Sequence, residues 1–110
     1  MFISIKKNYN FLNVYHNGKS YANKYLVMYI LENQMPVNRF GITVSKKVGN
    51  SVIRHRVTRL IRESIRLNEK QFAMGYDIVI VARSTAKGKK YKDIESAFLH
   101  LGRIHKIVKR

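Results

Sequence analysis

The 110-residue chain has no cysteine and no tryptophan, a single proline, Pro36, and only six acidic side chains. Without cysteine there is no disulfide and no thiolate metal site, which fits a reducing compartment. The acids are too few and too scattered for the carboxylate cage, or the fixed general acid and base, that a protein nuclease needs. Asp93 and Glu95 stand two positions apart, so on a helix they point to different sides and read as helix N-terminal charge. His16, His55, His100 and His105 have no carboxylate at ligand spacing, and His100 and His105 read as surface residues. No phosphate loop of the GxxxxGK type occurs. Nor is there a stretch approaching about 18 apolar residues, or an apolar run after the basic N-terminus. Neither a membrane span nor a signal peptide is therefore expected, and the expected location is the cytoplasm.

What the chain has instead is positive charge. Twenty-two Lys and Arg against six Asp and Glu give +16. Residues 1–37 carry +3, residues 38–66 carry +7 and residues 67–110 carry +6, so the middle is densest. At this length one domain, 1–110, with one core is expected. Its whole stability is on the order of 5–15 kcal/mol, from which unneutralised self-repulsion would subtract. A standing anionic partner is the simplest remedy. A membrane-surface helix would place Trp or Phe opposite its lysines, whereas the apolar faces here are committed to a core, so nucleic acid is the better partner.

The charge is organised around Gly41–Arg66, GITVSKKVGNSVIRHRVTRLIRESIR. It reads as a strand ending in Lys46 and Lys47, a Gly49–Asn50 turn, and a helix capped by Asn50 or Ser51. At about 100° per residue, Val57, Leu60, Ile61 and Ser64 fall within roughly 80° of Ile53 and form an apolar stripe. His55, Arg59, Arg62 and Arg66 cluster within roughly 40° of one another on the opposite side, with Arg54 and Arg56 on the margins. A merely solvated helix mixes charge signs, but here five arginines face Glu63 alone. That one-sidedness reads as a polyanion-binding face.

The rest of the chain supplies the frame. NYNFLNVYHNG reads as a short helix, capped by Asn8 or Asn10 and ended by Gly18 in a left-handed conformation. Its Phe11 and Tyr15 share a face. Tyr25–Leu31 reads as a strand with Tyr25, Val27, Tyr29 and Leu31 on one side and Leu26, Met28 and Ile30 on the other. Two tyrosines on one face fit either a core rim or a partly wet surface where rings meet bases. ENQMPVN reads as a hairpin loop. The next strand, about Arg39–Lys46, alternates Phe40, Ile42 and Val44 with Gly41, Thr43 and Ser45. The unbroken run Ile78–Ala82 reads as a fully buried strand closed by Arg83. A basic loop, Lys87 to Lys92, leads to a final helix with Ile94, Ala97, Phe98, Leu101, Ile104 or His105, and Val108 at helical spacing. Lys106, Lys109 and Arg110 at its end suit a helix C-terminus. The order helix, strand, strand, strand, helix, strand, helix makes an α+β fold, an α/β sandwich on a mixed central sheet. If the arginine helix joins parallel strands, the general rule makes that crossover right-handed.

The run FGITVSKKVGNSVIRHRVTRLIRES resembles the signature of the bacterial ribonuclease P protein subunit: a strand, SKK, a GN turn, and an R-N-R helix continuing into R-L-I-R. FLNVYHNGKSYAN resembles the family's aromatic helix and the turn after it, and YDIVIVAR resembles its last strand. The resemblance implies a ribosomal-protein-S5-domain-2-like fold with a left-handed crossover. It implies a protein that does not cut but binds a large catalytic RNA, which removes the 5′ leader of precursor tRNA using Mg2+ held mainly by the RNA. No obligate protein partner is implied. The implied RNA-subunit surface comprises Lys46, Lys47, Asn50, Arg54, His55, Arg56, Arg59, Arg62 and Arg66. The implied leader surface comprises Phe11, Tyr15, Val27, Tyr29 and Arg83. The chain departs from the family pattern at His55, usually Asn, at Thr58, often Lys, and at Tyr15, commonly Phe. Two other readings compete: a ribosomal or general structured-RNA-binding protein without an enzymatic partner, and a protein-only metal nuclease built on a carboxylate such as Asp77.

Overall fold

The computed structural model describes residues 2–108. Its elements run β1 (Ile3–Ser4), α1 (Asn8–Asn17), β2 (Lys19–Ala22), β3 (Leu26–Glu32), β4 (Arg39–Thr43), α2 (Ser51–Asn68), β5 (Tyr76–Ala82) and α3 (Tyr91–Ile104), with 3-10 turns at Glu69–Gln71 and Ser84–Ala86. The expected order from α1 onward is present, preceded by the two-residue β1. One mixed sheet has the order β1-β4-β5-β3-β2. β4 runs parallel to β1 and β5, while β3 runs antiparallel to β5 and β2.

The apolar run of β5 explains the layering. Ile78, Ile80 and Ala82 enter the main core with Leu26, Met28, Phe40, Val57, Ile61, Ile65 and Phe98, beneath α2 and α3. On the other face Val79 packs with Ile5 and with Val14 of α1. A strand buried on both faces has no solvent side to alternate toward. Each fully buried aliphatic or Phe side chain is worth about 1.5–3 kcal/mol. The core also stacks Phe72 on Phe98 at 5.0 Å, with Phe40 edge-on to Phe72 at 6.0 Å. Among the described residues no helix is long and apolar enough to cross a membrane.

The crossover from β4 through α2 to β5 is left-handed, which follows from residue stereochemistry. When an L-residue in an upward-running strand points its side chain at the viewer, its own N–H and C=O lie to the viewer's right. Phe40 points into the core beneath α2, and its carbonyl accepts from the Ile5 N–H at 2.8 Å, just past β1. Seen from the α2 side, β1 therefore lies to the right of β4 and β5 to the left. The helix between two parallel neighbours thus steps left, against the usual preference.

Several local expectations are corrected. The N-cap of α1 is Lys7, and neither asparagine side chain caps it. Gly18 is extended at φ −85°, not left-handed. It is glycine because an added Cβ would lie 2.5 Å from the Val14 carbonyl oxygen and 2.6 Å from that of Ile30. β4 ends at Thr43, short of the lysines, where the chain enters a turn closed by Val48 N–H donating to Ser45 O. Tyr25 precedes β3 and packs against the main core, apart from Tyr29.

α3 ends at Ile104, and Val108 instead bridges to Phe72. The end is a Schellman motif: Lys106 adopts φ +63°, its N–H donates to Arg103 O, and Ile107 N–H donates to Gly102 O at 3.0 Å. A non-glycine residue at such a left-handed position costs roughly 1–2 kcal/mol. Burial of Ile107 behind it offsets that cost. Lys109 and Arg110 lie outside the described residues. His105, expected at the surface, is buried against the Tyr21 ring, with Nε2 2.9 Å from Met28 O and Nδ1 without a hydrogen-bond partner among the described residues. Burial pushes its pKa below the ordinary value, against the opposing pull of the Met28 carbonyl.

Candidate nucleic-acid interface

The Asn50 side chain accepts from Ile53 N–H at 3.0 Å and caps α2. Val57, Ile61, Ser64, Ile65 and Asn68 are buried, which fixes the helix rotation. Asn68 bonds both Ser64 O and Glu95, and Glu95 also accepts from the Tyr91 hydroxyl, tying α2 to α3. The rotation leaves His55, Arg56, Arg59, Arg62 and Arg66 exposed and Arg54 half-buried.

The arginines then divide. Arg54 Nε donates to Gly49 O at 3.2 Å, and Arg56 Nη1 donates to Lys89 O at 2.9 Å. Arg66 grips Glu63 with two bonds of 2.9 and 2.6 Å, and this holds the Glu63 carboxyl below the usual range. Among the described residues, the side chains of Arg59, Arg62, Lys46 and Lys47 have no ion-pair or hydrogen-bond partner. One-sided charge was legible in the sequence, but this division into engaged and free cations was not. His55 lines an open groove of about 740 Å³ with Val52, Arg56, Arg59, Leu60 and Glu63.

On the opposite face of the sheet, α1 carries a second group. The Phe11 ring lies where a side chain at position 41 would stand, 2.6 Å from an ideal Cβ on Gly41. Tyr15 hydrogen-bonds the Thr43 hydroxyl at 2.8 Å. Its ring meets Tyr29 edge-on at 5.0 Å and Phe11 at 6.4 Å. All three rings are half-buried. Val27 shares the Tyr29 face of β3 and stands opposite Val81. Arg83 Nη1 donates to Asn23 O at 2.7 Å, on the turn between β2 and β3. Gly41 and Thr43 escaped notice as ring partners because a strand's small residues announce no function. Their shared parity with the α1 side was the available signal.

These two faces meet at the β1 edge. Phe11 and Gly41 line a cleft of about 140 Å³ together with Thr58 and Arg62 of α2. Thr58, where lysine is frequent in the family pattern, donates to Arg54 O at 2.8 Å.

Asp77 has no place in a metal site. It is buried, receives Arg39 at 2.8 and 2.6 Å, and accepts from Asn33 at 3.0 Å. Hydrogen bonding to Asp77 raises the Arg39 pKa further. Among the described residues no group of three or more His, Asp or Glu is placed to hold a metal ion.

The model of the family described as Ribonuclease P matches residues 2–106. A ribonuclease P protein component from Lachnoclostridium phytofermentans is 61% identical over 105 residues, covering 96% of this chain and 90% of the relative. One from Alkaliphilus metalliredigens is 54% identical over 104 residues, covering 94% of each. The solved RNase P protein of Staphylococcus aureus superposes with a TM-score of 0.89 at 34% identity, over 99% of this chain and 100% of that one. That of Thermotoga maritima gives 0.83 at 28% identity, over 91% and 96%.

Proposed function

Because the chain belongs to the ribonuclease P protein family, we propose that it binds the catalytic RNA of that ribonucleoprotein through the basic face of α2 and the unpaired 5′ leader of precursor tRNA through Phe11, Tyr15, Val27 and Tyr29. In this reading the RNA and its Mg2+ ions carry out the hydrolysis, and the protein supplies position and electrostatics. Arg59, Arg62, Lys46 and Lys47 neutralise phosphates and release counterions. The rings stack on leader bases, which every base permits, so leaders of different sequence are accepted. Arg83 guides the leader backbone from the rim of the sheet. The complex works in the cytoplasm and needs no further protein.

The observation that carries the reading is the set of free cations on α2, held on a helix whose rotation the core fixes. Like charges one turn apart lower helix stability, and a polyanion relieves that cost. The test is reconstitution. At low magnesium the protein should restore cleavage of a leader-bearing precursor by the catalytic RNA while cleaving nothing alone. If the RNA is equally active without it, the assignment fails. Equal affinity for unrelated structured RNAs, with no effect of leader length, would favour a general RNA-binding role.

A further inference from the structure

A third feature lies where the β2–β3 turn meets α3, with Arg83 and Arg56 at its borders. Asn23 builds it. Its Oδ1 accepts from Tyr25 N–H at 3.2 Å and Leu26 N–H at 3.1 Å, and its Nδ2 donates to Ala97 O at 2.9 Å. The same Nδ2 lies 3.1 Å from His100 Nδ1, which must accept there, so in the neutral ring the proton sits on Nε2. The Thr85 hydroxyl donates to Lys24 O, and Arg83 to Asn23 O, which hold the turn from the other side.

Beside this braced turn is a cavity of about 430 Å³ lined by Asn23, Lys24, Tyr25, Asp93, Ser96 and His100. That volume falls within the range of small-ligand sites. Two ammonium groups flank the Tyr25 ring, Lys24 Nζ at 5.7 Å and Lys89 Nζ at 5.4 Å from its centroid. Neither lysine has a carboxylate partner among the described residues. The cavity thus combines an aromatic ring, the Lys24 ammonium, the His100 Nε2 donor, the Ser96 hydroxyl and one carboxylate, with the Lys89 ammonium beside the ring. Asp93 uses Oδ2 to accept Lys90 N–H, which leaves Oδ1 as an acceptor. Arg56, through its bond to Lys89 O, joins this site to the basic face of α2.

We propose that this cavity holds one unpaired nucleobase of a bound RNA, stacked on Tyr25, with its phosphates on Lys24 and Lys89. Asp93 accepts from an exocyclic amino group, which guanine, adenine and cytosine carry and uracil lacks, so uracil binds less tightly. The site extends the RNA-binding reading given above, but its test does not depend on cleavage. Titrating the full chain with single nucleoside 5′-monophosphates, followed by backbone amide NMR, should move the signals of Asn23, Lys24, Ser96 and His100. GMP, AMP and CMP should do so at lower concentration than UMP or inorganic phosphate. Tyr25→Ala should weaken this response about 5- to 150-fold, the range for loss of one base stack, whereas Tyr25→Phe should retain it. Equal shifts with inorganic phosphate alone would leave only an anion site and overturn the proposal. Shifts confined to α1 and β3 would overturn it too, and would do so whether or not the chain supports precursor processing.

Discussion

The basic face of α2 and the aromatic face beneath α1 are anchored in opposite ways. On α2 the backbone is fixed by a buried stripe while Arg59 and Arg62 are free at their tips. Beneath α1 the side chains themselves are fixed: Phe11 against Gly41, Tyr15 to Thr43, and Tyr15 against Tyr29. Free cations act through a field, which tolerates rearrangement of the partner but weakens with salt. Fixed rings act through shape, which loses little entropy on binding and is nearly indifferent to salt.

The largest expected effect tests the field. With about six to ten phosphates neutralised, affinity for the catalytic RNA should fall by ~10³–10⁵ between 50 and 200 mM salt. Replacing Arg59 and Arg62 together by Ala should lower the slope of log affinity against log salt by about two, at roughly one per phosphate contact. Because neither guanidinium has a partner among the described residues, the melting temperature should not fall. A flat salt response would break the comparison at its first term.

The next effect tests the shape. Tyr29→Ala should reduce the preference for leader-bearing over mature tRNA by about 5- to 150-fold, the worth of one stacked base, with the salt slope unchanged. If Tyr29→Ala and the arginine variant alter affinity and salt slope alike, the two faces are one surface. The smallest effect isolates the anchoring. Tyr15→Phe deletes the bond to Thr43 but keeps the ring, so calorimetry should record a loss of about 0.5–1.5 kcal/mol. Leader affinity should change by no more than about twofold, since the stack is retained.

Elements with a strong period were legible in advance, and those without one were not. The stripe from Ile53 to Ser64 and the run Ile78–Ala82 announce α2 and β5 because burial imposes a pattern on residues. β2, KSYA, is exposed at every position, and its pairing with β3 uses only backbone, which leaves no mark in side-chain chemistry. β1 has two residues, too few for any period. The end of α3 was overrun because Lys106 occupies the left-handed position where glycine would have signalled a stop. His105 reads as a surface residue for the same reason: with the helix extended past it, the turn that brings its ring under Met28 O leaves no mark in the sequence. At the site, charge and rings were legible residue by residue. That Arg54 and Arg56 are engaged depends on the Gly49 and Lys89 backbone carbonyls, which side-chain chemistry does not mark, and Lys89 is also distant in sequence.

On the proposed reading, the cleft lined by both Phe11 and Arg62 would bring two ligands to one place. On the proposed assignment, one wall belongs to the leader and the other to the catalytic RNA. If a shift of Arg62 imposed by the RNA reshapes this cleft at Phe11, the two binding equilibria are coupled. Thermodynamic reciprocity then requires that whatever factor the RNA adds to leader affinity, the leader adds to RNA affinity. Cutting the leader from its tRNA breaks the covalent link through which each end keeps the other near its site. The severed ends would then be held less tightly than the intact precursor, a bias toward product release that requires no moving part.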